Sequence, residues 1–200
     1  AHLPRLVDSL GAARVHLCGE SLGGWVAVKY AAACPDRVAR AVLNTPGGTM
    51  AAPAVMNRIR DLSQQAADDP SPGRIRARLE WLMADPKSVT DELVSIRRKI
   101  YSQPGFSKSM RHIMALQDPD IRARNLITDE ELASITAEVL VVWTSDDPSG
   151  PAAAGIKMAE AIPNARFALI EAAAHWPQWE QRAVFNELVL DFLRNGLRLP

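Results

Sequence analysis

A serine set among glycines, Gly19-Glu20-Ser21-Leu22-Gly23-Gly24, follows an apolar run, Arg14-Val15-His16-Leu17-Cys18, and precedes a helical pattern from Trp25 to Ala33. A strand that feeds a helix through Gly-x-Ser-x-Gly turns sharply and leaves the serine hydroxyl at the apex, clear of the sheet. Glycines suit the flanks because a side chain there would collide with neighbouring backbone or could not take up the angles. Ser21 is therefore a candidate nucleophile. A lone serine is weak at neutral pH. It needs a base within hydrogen-bond reach, and the base needs an orienting acid. In enzymes built on this turn the chain order is serine, acid, histidine.

Both partners follow in that order. Val139-Leu140-Val141-Val142-Trp143 is short, rich in β-branched residues and uninterrupted, as a parallel strand buried on both faces should be. After it, Thr144-Ser145-Asp146-Asp147-Pro148 puts carboxylates in the loop at the strand's carboxyl end. A third run, Arg166-Phe167-Ala168-Leu169-Ile170, leads to Ala173-Ala174-His175-Trp176-Pro177. Pro177 opens a final helix ending near Asn195-Gly196, with proline in the first turn and glycine at the stop. Serine, carboxylate and histidine thus each stand just beyond a strand, on loops that can converge at one edge of a sheet.

Each residue also has a plainer role open to it. Ser21 could cap a helix, but the bracketing glycines and the preceding strand favour the elbow. Asp-Asp-Pro is good turn chemistry, and His175 could be an exposed loop residue. His16 is expected to pack beside its strand, His2 to be exposed, and His112 to lie on a helix of the middle third. Glu20 could be an ion-pair partner near the elbow.

The elements that must position these groups are four strands, near 14–18, 38–43, 139–143 and 165–170, and an opening helix, Leu3 to Leu10. The middle third, roughly Thr49 to Ser134, is arginine-rich and helical, broken by Asp69-Pro70-Ser71-Pro72-Gly73, Asp85-Pro86 and Gln103-Pro104-Gly105. Leu79, Leu82 and Met83 share one helical face, and Leu93, Ile96 and Ile100 another. This reads as a lid inserted between two core strands, where it would exclude water and shape a pocket. The expected division is a core segment 1–48, a helical lid 49–134 and a second core segment 135–200.

Composition permits one domain with a sizeable core: 200 residues, 48% hydrophobic and 23% charged. Formal charge is zero, which gives no reason to expect a nucleic-acid partner. No stretch of about 18 apolar residues suggests a membrane span. Cys18 and Cys34 make no disulfide framework and are expected to be buried small hydrophobes. A cytoplasmic location is the default. No spacing suggests a metal site or a phosphate-binding glycine loop, and no cofactor is expected.

Taken together these features resemble the α/β-hydrolases, and within them the meta-cleavage product hydrolases, which cut a carbon–carbon bond in 2-hydroxy-6-oxo-dienoate ring-fission products of aromatic degradation. The similarity is carried by His175-Trp176-Pro177-Gln178-Trp179-Glu180 and by Phe185-Asn186-Glu187-Leu188, like the family's His-Trp-x-Gln-Trp-Glu and Phe-Asn-x-Leu. Pro46-Gly47-Gly48 resembles the loop into the cap, and Val89 to Arg97 the cap helix with a substrate-contacting arginine. Three features differ from the family pattern: Glu20 stands where asparagine is usual, Thr144 where glycine is usual, and the stretch Ser149-Gly150-Pro151 replaces an apolar-Pro ending.

The resemblance implies a half sheet of α/β-hydrolase type with an inserted helical cap, and a C-terminal portion of a longer hydrolase without its first strands. It selects Asp147 over Asp146 as the acid, and makes Ser21, Asp147 and His175 the catalytic set. The Leu22 N–H would be one oxyanion donor, the second lying upstream of Ala1. Arg97 would hold a substrate carboxylate and Trp176 would line the acyl side, although Arg97 could equally form a surface ion pair and Trp176 pack on the last helix. The expected ligand is a small hydrophobic molecule bearing a carboxylate, and the family suggests a homo-oligomer. The same triad also serves carboxylesterases and lactonases of small hydrophobic esters, and a relic of the fold could bind a ligand without catalysis.

Overall fold

The computed structural model describes residues 2–49 and 51–197. In chain order the elements are α1 (His2–Ser9), β1 (Val15–Glu20), α2 (Leu22–Ala33), β2 (Val38–Asn44), α3 (Pro53–Asp68), α4 (Pro72–Glu80), α5 (Asp91–Tyr101), α6 (Phe106–Met114), α7 (Pro119–Ala123), α8 (Asp129–Ala133), β3 (Glu138–Thr144), α9 (Ala152–Ala161), β4 (Ala165–Ile170), α10 (Pro177–Glu180) and α11 (Arg182–Asn195).

Among the described residues the strands form one parallel sheet in the order β1-β2-β3-β4. The register sets Glu20 beside Asn44, Asn44 beside Val142, and Thr144 beside Ile170. The carboxyl ends of all four strands therefore fall on one edge, and the loops that leave it carry Ser21, Asp147 and His175.

Alternation along the central strands divides the core. Leu43, Val139 and Val141 pack with Val28 of α2, Met158 of α9 and Leu132 of α8, whereas Val42, Leu140 and Val142 pack with Phe185, Val189 and Phe192 of α11. Burying each such side chain contributes about 1.5–3 kcal/mol, so a continuous apolar run is the expected signature of β3.

β1 pairs with β2 alone among the described strands, and this overturns two expectations. Leu17 and Val15 lean on the α2 side of the core, while His16 and Cys18, on the opposite face, are exposed. Cys34 is half-buried. The last helix also departs from one continuous run. Gln181 leaves helical geometry at φ −121° and ψ 46°, which separates the short α10 from α11.

Between β2 and β3 the helices α3 to α6 form a core of their own, including Ala66, Ile75, Leu79, Met83, Leu93, Val94, Tyr101 and Met110. Leu79, Leu82 and Met83 are buried as expected. The buried face of α5 is different from the expected one. Leu93, Val94 and Tyr101 point inward, and Ile96 and Ile100 are 48% and 41% exposed. That rotation carries Arg97 toward the interior and leaves Arg98 and Lys99 outside. The short α8 packs against α2 and α9, on the sheet rather than on the other inserted helices.

Candidate active site

The turn after β1 holds Ser21 at φ 52° and ψ −114°. A non-glycine residue in such a region carries about 1–3 kcal/mol of strain and persists only where its surroundings enforce it. Three backbone bonds do so: Ser21 N–H donates to Asn44 O at 3.0 Å, and Ser21 O accepts from Gly47 N–H at 2.8 Å and Trp25 N–H at 3.1 Å. The glycine requirement falls on Gly19 and Gly24. A Cβ on Gly19 would lie 2.4 Å from Gly23 O, and one on Gly24 would lie 2.7 Å from Pro46 Cβ. Gly23, although part of the motif, has open space where a Cβ would go.

Asp147 and His175 meet directly. His175 Nδ1 lies 3.1 Å from both Oδ1 and Oδ2 of Asp147. The carboxylate side chain is fully buried and the imidazole 7% exposed. Asp146 faces solvent and takes a bond from the Ser145 hydroxyl, so of the two adjacent acids only Asp147 reaches the ring. Ser149 supports the pair: its N–H donates to Asp147 Oδ1 at 2.8 Å, and its Oγ lies 3.4 Å from His175 Nδ1. The histidine backbone is fixed from the inserted helices, His175 N–H donating to Leu82 O at 2.9 Å.

Among the described residues no hydrogen bond joins Ser21 Oγ to His175. Such contacts are often long in ligand-free sites and tighten only around substrate. What ties the serine turn to the histidine segment is the side chain before Ser21. Gln178 Nε2 donates to Glu20 Oε2 at 2.7 Å, and Asn44 Nδ2 donates to Gln178 Oε1 at 2.9 Å. Burial pushes the Glu20 carboxyl above the usual range for glutamate, against the fields of His175 and Arg97 and the Gln178 bond, which pull it down.

Ser21 and Leu22 open onto a cavity of about 150 Å³, whose other walls include Ile59, Ile113, Met114 and Trp143. The Leu22 N–H belongs to the first turn of α2, where an amide has no intrahelical partner. Two guanidinium groups, Arg78 and Arg122, also line the cavity. Arg122 is saturated by the carbonyls of Thr49 and Leu116 and by Gln117, and stacks on Trp25.

Arg97 lies outside the lining of that cavity. Its guanidinium sits 5.2 Å from the Tyr101 ring and 5.4 Å from the Trp176 ring, and Nη2 reaches the Tyr101 hydroxyl at 3.3 Å. Arg97 and Trp176 therefore share one side of the site. Arg97 Nε is buried without a partner, and no carboxylate pairs with Arg97 among the described residues.

Several side chains that shape this site escaped the sequence reading. Glu180 accepts from Ala84 N–H at 2.8 Å, Asp85 N–H at 3.0 Å and Ala174 N–H at 2.8 Å, joining the end of α4 to the histidine segment. Trp179 Nε1 adds a bond to Ser88 O at 2.9 Å. The Gln-Trp-Glu stretch was visible, but nothing in it names a partner 90 residues away. Arg78 carried no local signal, and Ser149 stood out only as part of a departure from the family pattern. His112 is exposed on α6 and stands apart from the cavity. Among the described residues no group of three or more metal-ligating side chains occurs, and no helix is long and apolar enough to cross a membrane.

Comparison with known proteins agrees with this architecture. The family model described as "Alpha/beta hydrolase family" matches residues 1–188. The chain is similar to a 2-hydroxy-6-oxo-6-phenylhexa-2,4-dienoate hydrolase of Burkholderia cepacia, 34% identical over 195 residues, covering 96% of this chain and 66% of that protein. It is similar also to a 2-hydroxy-6-oxononadienedioate/2-hydroxy-6-oxononatrienedioate hydrolase of Comamonas testosteroni, 32% identical, again over 96% of this chain and 66% of the relative. The chain thus spans just under two thirds of the length of these relatives. Among solved structures, a meta-cleavage product hydrolase from Pseudomonas fluorescens IP01 superposes with a TM-score of 0.84 at 27% identity, covering 98% of this chain and 70% of that one.

Proposed function

The chain belongs to the alpha/beta hydrolase family, and on that premise we propose that it is the catalytic part of a serine hydrolase that breaks a carbon–carbon bond in a 2-hydroxy-6-oxo-dienoate. The observation that carries the reading is the buried Asp147–His175 pair on the same sheet edge as the strained Ser21 turn. A carboxylate on Nδ1 fixes the tautomer that leaves Nε2 free to accept a proton, and stabilises the imidazolium that results. Similarity to two dienoate hydrolases supports the choice of bond.

In this mechanism Arg97 receives the dienoate carboxylate, for which a planar guanidinium offers a two-pronged match. Trp176 lies under that guanidinium and so contributes to the same end of the substrate. The dienol first shifts to its keto form. His175 then takes a proton from Ser21 Oγ, or from a water beside it, and the oxygen attacks the distal carbonyl. The Leu22 N–H stabilises the oxyanion, a single such donor being worth about 2.7–4 kcal/mol in the transition state. Cleavage leaves the electron pair on the dienoate fragment, which takes the proton held by His175 and departs as a 2-hydroxydienoate. On the serine route the acyl group remains as an ester on Ser21 Oγ until a water, giving its proton to His175, displaces it; on either route the acyl part leaves as a carboxylic acid. The working location proposed for this chemistry is the cytoplasm, and a second copy of the chain is the one macromolecular partner proposed.

The test offers full-length protein a yellow ring-fission dienolate and a set of small hydrophobic esters. Bleaching of the dienolate with release of one acid supports the reading. Rapid ester turnover without bleaching replaces it with a carboxylesterase or lactonase. Failure of a fluorophosphonate to label Ser21 in folded protein would leave a ligand-binding relic of the fold.

A further inference from the structure

The cavity that Ser21 lines also carries a positive charge with no acid paired to it among the described residues. Arg78, on α4, lines the cavity with Ser21, Leu22 and Trp143. Its Nε donates to Ser63 Oγ of α3 at 3.0 Å, and its guanidinium lies 5.4 Å from the Trp81 ring. Ser63 is 2% exposed, so the anchor is fixed. Beyond that bond neither terminal nitrogen has a hydrogen-bond partner among the described residues, and Nη1 is buried. The surroundings are so enclosed that desolvation draws the guanidinium down to about 10, which still leaves it charged at neutral pH.

No ion pair joins Arg78 to an acid among the described residues, and none of the residues lining the cavity is acidic. The carboxylate whose field reaches Arg78 is Glu20. Glu20 acts on Arg97 as well, and its Oε2 is engaged by Gln178. The guanidinium groups of Arg78 and Arg97, both on half-buried residues, therefore share the field of one carboxylate. Arg122, the other arginine in the cavity wall, is bonded along its edges by backbone and side-chain oxygens. Of the two, Arg78 is the one whose terminal nitrogens have no partner among the described residues. Leaving a charge enclosed and unpaired is strongly unfavourable, so a guanidinium held in the same cavity wall as the reacting serine points to an anion supplied by the ligand.

We propose that Arg78 is a specificity-determining residue that receives a second carboxylate, at the acyl end of the substrate, so that the preferred substrate is a diacid with one carboxylate for Arg97 and one for Arg78. This rests on the proposed function for the identity of the reaction, but the binding of a tail carboxylate at Arg78 does not. The apolar walls Ile59, Ile113, Met114 and Trp143 would hold the short carbon chain between the ketone and that carboxylate. A phenyl-tailed substrate would fit those walls and leave the guanidinium unanswered.

The test has two arms on full-length protein. In the first, glutarate and butyrate are titrated while tryptophan fluorescence is followed, since Trp81 stacks on Arg78 and Trp25 and Trp143 line the cavity. Glutarate should bind about tenfold or more tightly than butyrate, and Arg78→Met should erase the difference. Equal affinities in the unsubstituted protein, or a difference that survives in Arg78→Met, overturn the proposal. In the second arm, ring-fission dienoates ending in a carboxylate or in a phenyl ring are compared by kcat/KM. The preference for the charged tail should fall about 30-fold or more in Arg78→Met, in the range expected when a buried polar group loses its partner. An unchanged preference, or a preference for phenyl in the unsubstituted protein, overturns it. Should Arg78→Met not fold, Arg78→Lys, which keeps the charge and loses the fork, must still cut the preference at least partly, and full retention counts against the proposal. If neither dienoate is turned over, the proposed reaction fails while the glutarate titration still decides the role of Arg78.

Discussion

Gln178 Nε2 donates to the Glu20 carboxylate at 2.7 Å, so the residue before Ser21 is bonded to the segment that begins at His175. Asn44, at the end of β2, holds the other end of the same amide. The serine turn and the histidine segment are thus braced against each other by one glutamine, independently of any contact between the hydroxyl and the imidazole.

The burial of Glu20 at this brace gives it a measurable pH signature. Burial raises its carboxyl above the unfolded value, so the folded chain holds a proton that the unfolded chain has released. Stability then falls as pH rises from the unfolded value, 4.5, through the raised folded value, and is flat above it. Glu20→Gln keeps an acceptor for Gln178 and removes this slope. Urea midpoints measured across that window should decline for the unsubstituted protein relative to Glu20→Gln. Parallel curves would show that the Glu20 carboxyl titrates normally.

Glu180 is the knot between the inserted helices and the histidine segment. Three amides, from Ala84, Asp85 and Ala174, share its two oxygens. Hydrogen bonds to a charged group are worth about 1.5–3 kcal/mol each, less where water competes. Glu180→Ala should cost about 2 kcal/mol in denaturant unfolding and slow fluorophosphonate labelling of Ser21, because His175 loses part of its frame. Equal labelling rates would show that the Leu82 bond alone fixes the histidine.

The two glycines after Ser21-Leu22 should respond with opposite signs. A methyl at Gly24 meets the Cβ and Cα of Pro46 at 2.7 and 3.0 Å, inside packed backbone. Gly24→Ala is expected to destabilise by about 1–3 kcal/mol, as overpacking does. Gly23 has open space in the first turn of α2, and Gly23→Ala should gain up to about 1 kcal/mol from helix propensity. Thermal unfolding of the pair checks both, and a loss at Gly23 as large as at Gly24 would refute the packing argument.

Much of this was legible because it rests on local periodicity. The apolar run from Val139 to Trp143 announces a strand buried on both faces, and β3 is one. The glycine-flanked serine announces a strained turn, and Ser21 has positive φ. What failed were inferences about which side faces what. Cys18 and Leu17 are adjacent in a strand, and no pattern in the sequence says that one face of β1 is uncovered. The spacing of Leu93, Ile96 and Ile100 is a sound helical stripe, yet α5 buries Leu93, Val94 and Tyr101 instead. The aromatic partners of Arg97, including Trp176 from the other end of the chain, lie on that inward face. Arg78 stayed hidden for a related reason, since its neighbours Ser63 and Ser21 come from distant segments.

Because α8 lies on the sheet with α2 and α9, it performs the return trip that a parallel strand pair demands. The preceding helices are relieved of that duty. They form a detour spliced in ahead of the crossover, and their number and length are free to drift without shifting β2 against β3. Substrate range in this scaffold can therefore be rewritten in the detour while the hydrolytic rim keeps its alignment.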